Sequence, residues 1–274
     1  MDQRHINLNR KMYSFNVDVK EESDFGKAKK IFNKFGFVVL KNFIKKNIII
    51  ELRNELLEKI QSNSIINPKK NIHFIDSDKL SSAHNLSSFL ANYKLLRNDS
   101  NILRLTKELY GDTSSDDFNS SYFAKPKQVG LETKAHQDNA YFCRMPADVA
   151  TFWFPVSYSN MSNGALYYFA KSHNIGELEH APQGNLGASM CLTNNSLNRV
   201  IKLFQKIYVE VELGDCIMHN ALVVHGSEAN IGPNDRNAFN FSVASSHAKV
   251  NKKKYENYQN LLANFLASKK GQTN

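Results

Sequence analysis

A short stretch of this chain, residues 135–142, brings together two residue types that bind metal ions. His136 and Asp138 are two positions apart. In an extended strand side chains alternate between faces, so these two would point the same way. One imidazole and one carboxylate aimed at a common point make up two thirds of the 2-His-1-carboxylate facial triad, which holds Fe(II) and leaves coordination positions open. The pair alone is weak evidence, because nine histidines in 274 residues produce such a spacing by chance.

A second histidine must come from elsewhere in the fold, and His225 is the best candidate. It ends an apolar run, and Arg236 follows eleven residues later. The segment between them, 230–235, contains the Gly, Pro, Asn and Asp typical of a turn. We therefore predict a hairpin that places His225 and Arg236 on neighbouring strands, roughly 5 Å apart at Cβ. Arg236 would then bind one end of a five-carbon 2-oxo diacid whose other end chelates the metal.

With these residues in place, the sequence resembles the phytanoyl-CoA dioxygenase family of Fe(II)- and 2-oxoglutarate-dependent oxygenases. The matching segments cover most of the chain, and one residue departs from the family pattern because Lys171 stands where the family usually has glycine. The segments are 35–43, the stretch around His136, Asn163-Gly164-Ala165-Leu166, Lys171-Ser172-His173, Gly214-Asp215 before His219, His225-Gly226-Ser227 and Asn230.

The resemblance implies a double-stranded β-helix, or jelly roll, and assigns roles to particular residues. It favours His225 over His219 as the distal metal ligand, and it gives Ser227 and Arg236 the far carboxylate of 2-oxoglutarate. The implied cofactors are Fe(II), 2-oxoglutarate and O2, with ascorbate in support. Related halogenases replace the carboxylate ligand by a small residue, so Asp138 favours hydroxylation, with release of succinate and CO2.

Each residue around the expected pocket has two possible roles. Lys125 lies eleven residues before His136 and is either a further cation for the co-substrate or a surface lysine. The residues expected either to border the pocket or to belong to the core are Tyr141, Phe142, Arg144 and Trp153. Arg144 and Lys134 favour an anionic small-molecule substrate, although the family's range of substrates leaves its identity open.

Composition is that of an ordinary globular protein, with 42% hydrophobic and 22% charged residues, and predicts a single domain over 1–274. No apolar run reaches the length of a membrane helix, and the first residues lack the apolar region of a signal peptide. We therefore predict a cytoplasmic protein without membrane association. The three cysteines, Cys143, Cys191 and Cys216, show no metal-type clustering and suit a reducing compartment. The oligomeric state is left open.

The net charge of +9 raises the question of nucleic acid. Basic residues outnumber acidic ones by 15 to 8 in residues 1–70 and by 6 to 1 in 249–274, whereas 71–248 hold 14 basic and 17 acidic residues. The candidate site therefore lies in a slightly acidic segment, which argues against a nucleic-acid partner. Two alternatives to a small-molecule hydroxylase remain: a non-catalytic jelly-roll binding protein, and a nucleic-acid demethylase of the same chemistry.

Periodicity predicts an α+β protein with a mainly β core and N-terminal helices that buttress it. After a polar leader, 1–22, the apolar positions of 25–35 have helical spacing and end at Gly36; Asn47 is expected to cap a second helix, and 86–110 reads as helical. Residues 61–85 are predicted to be a long loop, either a lid or disordered. The predicted strands are 37–40, 121–125, 150–157, 165–169, 207–211, 216–224 and 238–244. A last helix, 252–270, either packs on the domain or serves a membrane surface or an oligomer.

Overall fold

The computed structural model describes residues 15–65, 68–75, 78–111, 114–183 and 189–271. The helices are α1 (Glu22–Phe35), α2 (Lys46–Gln61), α3 (Pro68–Asn71), α4 (Tyr93–Arg97), α5 (Ser100–Tyr110), α6 (Asn139–Phe142), α7 (Asn194–Leu203) and α8 (Lys252–Gly271), with 3-10 turns at Leu86–Ser88, Met161–Asn163 and Ser172–Ile175. The strands are β1 (Asn16–Asp18), β2 (Phe37–Lys41), β3 (Ile72–Ile75), β4 (Lys79–His84), β5 (Ser114–Lys125), β6 (Thr133–His136), β7 (Arg144–Met145), β8 (Val149–Pro155), β9 (Leu166–Phe169), β10 (His180–Pro182), β11 (Met190–Leu192), β12 (Lys206–Tyr208), β13 (Cys216–Asn220), β14 (His225–Ser227), β15 (Arg236–Ser245) and β16 (Lys249–Val250).

Two sheets form the body of the fold. The larger has the strand order β1-β2-β13-β8-β15-β5-β4-β3, and the smaller has the order β12-β9-β14-β6. Apart from the parallel pair β1 and β2, the neighbouring strands of both sheets are antiparallel. Two facing antiparallel sheets of this kind make the jelly roll that was expected.

The central strands of the larger sheet are buried on both faces. In β2 the side chains of Phe37 and Val39 pack in the core between the sheets, whereas Val38 and Leu40 pack in the core under the helices. Strand β8 is buried at every position. A sheet covered on one side by helices and on the other by a second sheet explains why these strands read as continuous apolar runs rather than alternating ones.

The N-terminal helices cover the outer face of the larger sheet, as predicted. Helix α1 buries Phe25, Ala28 and Phe32, and Gly36 ends it with a φ of +85°, the left-handed conformation that glycine adopts without strain. The expected cap of the second helix is wrong, because α2 begins one residue before Asn47 and Lys45 is its N-cap. Residues 86–110 form separate short helices rather than one.

The prediction of a long loop over 61–85 is wrong for most of that segment. Strands β3 and β4 pair with each other, and β4 extends the larger sheet by pairing with β5. Strand β3 is the edge of the sheet, and β4 buries Ser81, Ser82 and Ala83 in succession rather than alternately, so neither strand carries the alternating apolar pattern that sequence reasoning detects. Residues 66–67 and 76–77 of this segment lie outside the described residues.

The predicted hairpin between His225 and Arg236 is also wrong, because the two residues lie in different sheets. Strand β14 pairs with β6 and β9 in the smaller sheet, whereas β15 pairs with β5 and β8 in the larger one. The intervening turn carries the chain across the sandwich. Asn230 fixes that turn: its Nδ2 donates to the carbonyls of Lys125 and Asn234, and its Oδ1 accepts from the Gly232 amide.

The other predicted strands exist with shifted ends. Strand β13 stops at Asn220 instead of continuing through residue 224, because the chain there crosses from the larger sheet to the smaller, and β12 ends at Tyr208. The predicted C-terminal helix is α8. Residues 1–14 of the expected leader lie outside the described residues, while residues 16–18 form strand β1. Among the described helices, none is long and apolar enough to span a membrane.

Candidate metal centre and active site

Three buried side chains converge between the sheets. Asp138 Oδ1 lies 3.5 Å from His136 Nε2 and 3.5 Å from His225 Nε2, and the ligand atoms of all three residues lie within 4.8 Å of one another. The neighbouring strands β6 and β14 bring the two histidines together, since His136 and His225 are partners in the register. The predicted ligand set is therefore assembled in space.

Asp138 reaches this point by a different route from the one predicted. Strand β6 ends at His136, and Asp138 is the N-cap of α6 with helical backbone angles, φ −59° and ψ −34°. The chain thus turns immediately after the strand, and this turn, rather than strand alternation, aims the carboxylate at the histidine. The turn also aligns the Asn139 amide to donate to the Ala221 carbonyl at 3.0 Å, which ties α6 to the segment leading to β14.

Backbone carbonyls set the tautomer of both candidate histidine ligands. His136 Nδ1 lies 2.8 Å from the Lys134 carbonyl, and His225 Nδ1 lies 3.0 Å from the Val223 carbonyl. A carbonyl can only accept, so each Nδ1 carries the proton and each Nε2 keeps a free lone pair for a metal. Burial, reinforced by the neighbouring His136 and His219, lowers the pKa of His225 well below its usual range, which favours the neutral, ligating form.

The structure separates His219 from the ligand set. Its Nδ1 lies 3.0 Å from the Tyr168 hydroxyl, and its Nε2 lies 3.2 Å from Asp138 Oδ2, the carboxylate oxygen that faces away from the other two histidines. Burial raises the pKa of Tyr168 well above its usual range, so the phenol keeps its proton and donates it to Nδ1. Nε2–H is then the donor to Asp138, and both nitrogens of His219 are occupied.

Asp138 is held by several donors at once. Thr151 Oγ1 donates to Oδ2 at 3.0 Å, His219 donates to the same oxygen, and the Tyr141 hydroxyl donates to Oδ1. Burial acts to raise the pKa of Asp138, but the surrounding imidazoles of His225, His136 and His219 outweigh it and hold that pKa well below its usual range. An ionised carboxylate beside two neutral imidazoles is the donor set that a divalent iron ion requires, so the residues fit the metal.

Arg236, at the start of β15, faces this centre from the larger sheet. Its side chain is buried, lies over the Trp153 ring at 5.5 Å, and makes one side-chain hydrogen bond among the described residues, from Nε to the Gly164 carbonyl at 3.2 Å. Burial lowers its pKa to about 10, which leaves the guanidinium charged at neutral pH. The rest of the guanidinium fork is therefore available to an anion in the cavity.

Lys125 is the register partner of Arg236 across β5 and β15 and also lines the cavity. Its Nζ donates to the carbonyls of Glu228 at 2.6 Å, Leu131 at 2.7 Å and Ser227 at 3.4 Å. Burial, followed by the charge of Arg236, lowers the pKa of Lys125 to about 6. With three acceptors already on Nζ, the visible role of Lys125 is to clamp the backbone that carries Ser227, and it is not a surface residue.

Ser227 follows the ligand His225 by two residues and lines the same cavity. The structure shows no hydrogen-bond partner for its hydroxyl among the described residues, although the residue is only 2% exposed. Gly226 allows β14 this position, because a Cβ there would lie 2.5 Å from the Tyr167 hydroxyl and 2.6 Å from the Thr133 carbonyl. An uncommitted hydroxyl and a buried guanidinium in one cavity fit a carboxylate ligand.

The departure of Lys171 from the family pattern is accommodated by the backbone. Lys171 adopts φ +71°, the left-handed conformation that a glycine would take. The next residue, Ser172, accepts a hydrogen bond from the Val224 amide at 2.8 Å and so fixes the chain directly before His225. The segment thus keeps its left-handed turn and its hydrogen bond to Val224 without the glycine.

The cavity around these residues measures about 530 Å³, within the size range of small-molecule sites. Tyr141 and Trp153 line it as predicted, whereas Phe142, Arg144 and Lys134 do not line it. Sequence reasoning missed five residues at or next to the site: His84, Thr151, Tyr168, Asn240 and Ser242. Thr151 carried a usable signal, since it is the only polar side chain in β8.

A comparison with protein-family models matches residues 32–238 to the phytanoyl-CoA dioxygenase family. The chain belongs to this family. It therefore joins a family of Fe(II)- and 2-oxoglutarate-dependent oxygenases, and the triad His136, Asp138 and His225 agrees with that membership. The resemblance seen in the sequence is confirmed.

Curated relatives carry the same family name. The phytanoyl-CoA dioxygenase domain-containing protein 1 homolog of Dictyostelium discoideum is 29% identical over 124 residues, 43% of this chain and 42% of that protein. The Bos taurus phytanoyl-CoA dioxygenase domain-containing protein 1 is 24% identical over 194 residues, 69% of this chain and 63% of that protein. The chain thus matches about half the length of these relatives.

Solved structures share the fold at low sequence identity. EctD from S. alaskensis, solved with 2-oxoglutarate and 5-hydroxyectoine, superposes with a TM-score of 0.67 at 15% identity, covering 84% of this chain and 83% of EctD. SnoK, a non-heme alpha-ketoglutarate-dependent carbocyclase from nogalamycin biosynthesis, gives a TM-score of 0.63 at 18% identity, covering 82% and 85%. The jelly-roll prediction is confirmed by these neighbours.

Proposed function

We propose that this protein hydroxylates a small molecule with Fe(II), O2 and 2-oxoglutarate, releasing succinate and CO2. One observation carries the proposal: a buried His-Asp-His cluster with free Nε2 lone pairs faces a buried guanidinium that has donors to spare in the same cavity. Iron, when bound, supplies the oxidising chemistry that puts oxygen on a substrate carbon. Everything else in the reaction depends on how the chain binds, orients and shields the reactants.

His136, Asp138 and His225 would hold the metal. The two carbonyls on the histidine Nδ1 atoms keep both rings in the ligating tautomer. The donors on Asp138 fix which carboxylate oxygen faces the histidines, since Oδ2 is occupied by Thr151 and His219. A carboxylate in this position supports hydroxylation over halogenation, because it leaves no vacant protein ligand site for a halide.

Arg236 and Ser227 would bind the far carboxylate of 2-oxoglutarate. The guanidinium offers a planar fork that matches a carboxylate, and the Ser227 hydroxyl adds a further donor. Lys125 supports this site by holding the Ser227 backbone. A cytoplasmic location remains a prediction from the composition.

The experiment has two measurements, made on the wild type and on single variants. Fe(II) binding is measured without oxygen, and the conversion of 2-oxoglutarate to succinate is measured with oxygen present. His136→Ala and His225→Ala should each abolish iron-dependent succinate formation. His247→Ala is the matched control, because His247 is exposed and lies outside the cavity. If the wild type binds neither iron nor 2-oxoglutarate, the chain is a non-catalytic member of the fold and the proposal is wrong.

A further inference from the structure

Asn240, deep in the cavity, lacks a hydrogen-bond partner. Its side chain makes no hydrogen bond among the described residues, and the residue is 8% exposed. Oδ1 is fully enclosed by the protein, so Nδ2 is the amide atom that a ligand in the cavity can reach. On β15 it shares a face with Arg236, since the intervening Ala238 packs between the sheets whereas Phe239 packs under the helices. Buried amides are normally paired, so an unpaired one lining a ligand cavity indicates a group that the ligand completes.

The part of the cavity left for a substrate offers no formal charge among its described lining residues. Asp138 belongs to the metal, Arg236 to the co-substrate, and Lys125 already donates to three carbonyls. His84 is bonded through both ring nitrogens to the hydroxyls of Ser82 and Ser121, and burial lowers its pKa to about 4. A substrate charge would find no opposite charge here, which argues against the anionic substrate favoured by the sequence.

The outer wall of the cavity is apolar, and part of it comes from α8. Leu262 and Leu266 line the cavity together with Ile75, Phe123 and Leu131. The Tyr258 hydroxyl bonds to Ser189 at 2.9 Å, and Lys254 forms an ion pair with Glu177, so the helix is tied to the rim. Helix α8 lies beyond residues 32–238, the part matched to the family, so Leu262 and Leu266 come to this wall from outside the matched segment.

We propose that the substrate is an uncharged molecule with an apolar body and an oxygen that accepts a hydrogen bond. Asn240 Nδ2 donates a hydrogen bond to that oxygen, and Leu262 and Leu266 pack against the apolar body. The inference rests on the proposed function and names the substrate class for the same site. It makes Asn240 a substrate-binding residue and α8 a specificity element.

Three naphthalenes of similar size separate the contribution of the hydrogen bond from that of substrate charge. 2-Naphthol has a hydroxyl oxygen that can accept a hydrogen bond and no charge at neutral pH, 2-methylnaphthalene has neither an oxygen nor a charge, and 2-naphthoate is an anion. Binding of each is followed by fluorescence anisotropy, with the full chain loaded with Zn(II) and saturating 2-oxoglutarate, so that Arg236 is occupied and nothing turns over. We expect 2-naphthol to bind most tightly, by roughly twofold to tenfold over 2-methylnaphthalene, the range of one net hydrogen bond, and 2-naphthoate to bind least.

Two variants test whether Asn240 and Leu266 cause these differences in binding. Asn240→Ala should remove the advantage of 2-naphthol over 2-methylnaphthalene, a ratio that is insensitive to the fraction of folded protein. Leu266→Asp should weaken both neutral probes by about fivefold, the loss expected when roughly 40 Å² of apolar contact is removed. Leu261→Asp is the matched control, because Leu261 is on the same helix, is equally exposed at 49%, and does not line the cavity.

The outcomes of this inference and of the proposed function can be told apart. Tightest binding of 2-naphthoate, equal effects of Leu266→Asp and Leu261→Asp, or an unchanged probe ratio in Asn240→Ala would each overturn the substrate class. In a separate titration, failure of the wild type to bind 2-oxoglutarate would overturn the proposed function instead. Neither Asn240→Ala nor Leu266→Asp should alter the dissociation constant of 2-oxoglutarate.

Discussion

Replacing Arg236 by alanine should weaken 2-oxoglutarate binding far more than iron binding. The guanidinium is buried, and with Lys125 held by carbonyls it is the cation in the described cavity that has donors to spare. Its removal would leave the far carboxylate desolvated and without its ionic partner, a loss of roughly 2 to 5 kcal/mol for a buried charged pair. At about 1.4 kcal/mol per factor of ten, the dissociation constant should rise by about 30-fold to several-thousand-fold.

The assay is an anaerobic titration of the Fe(II) protein with 2-oxoglutarate, followed by the metal-to-ligand charge-transfer band of the chelate. Arg236→Lys should recover little, because a lysine cannot present two parallel donors to a carboxylate. Arg199→Ala provides the control, since Arg199 is exposed and lies outside the cavity. An unchanged dissociation constant in Arg236→Ala would refute the reasoning and point to Lys125, which Lys125→Met would then test.

Three further predictions address the ligand choice, the product and the pH response. His225→Ala should abolish iron-dependent turnover, whereas His219→Gln should retain iron with reduced turnover; the reverse pattern of iron content would show that His219 is the ligand. With a true substrate, the product mass should rise by one oxygen, because Asp138 occupies the position that a halide would need, and a chlorinated product in chloride buffer would contradict this. Burial lowers the pKa of His180 to about 4, and its Nε2 accepts a hydrogen bond from the Gln137 amide at 3.0 Å. The unfolded chain therefore binds a proton on His180 at a higher pH than the folded chain does. The free energy of unfolding should fall as the pH drops below about 6.5, by roughly 2 kcal/mol between pH 7 and 5. Urea titrations of wild type and His180→Gln would show the same pH slope if this assignment were wrong.

Local pattern was enough to predict the elements whose stability depends on near neighbours in sequence. Helix α1 was predictable because its apolar residues fall on one face and Gly36 stops it. The core strands β2, β8 and β15 were predictable because continuous or alternating apolar residues report burial. Strands β3 and β4 were missed, since β3 is an edge strand stabilised by backbone pairing and the buried residues of β4 are small and consecutive, so neither strand shows apolar alternation.

Residue type and family resemblance are enough to predict the chemistry of the site. Imidazole and carboxylate groups bind iron, and a guanidinium binds a dicarboxylate; the sequence supplies them as His136, Asp138, His225 and Arg236. The sequence did not predict how the fold brings these residues together. The chain leaves β6 in a helical turn to aim Asp138, and it crosses between the sheets twice to set His225 opposite Arg236.

Only the tertiary structure decided the role of each polar neighbour. His219 and His225 are alike as residues, but the Tyr168 hydroxyl and Asp138 Oδ2 occupy both nitrogens of His219 and leave His225 with the free lone pair. Lys125 has a residue type suited to the co-substrate, yet its Nζ is already bonded to three backbone carbonyls. The physical reason is the same in both cases. The residue type decides which chemistry a side chain can perform, whereas long-range packing of strands across the sandwich decides which hydrogen-bond partners occupy its atoms.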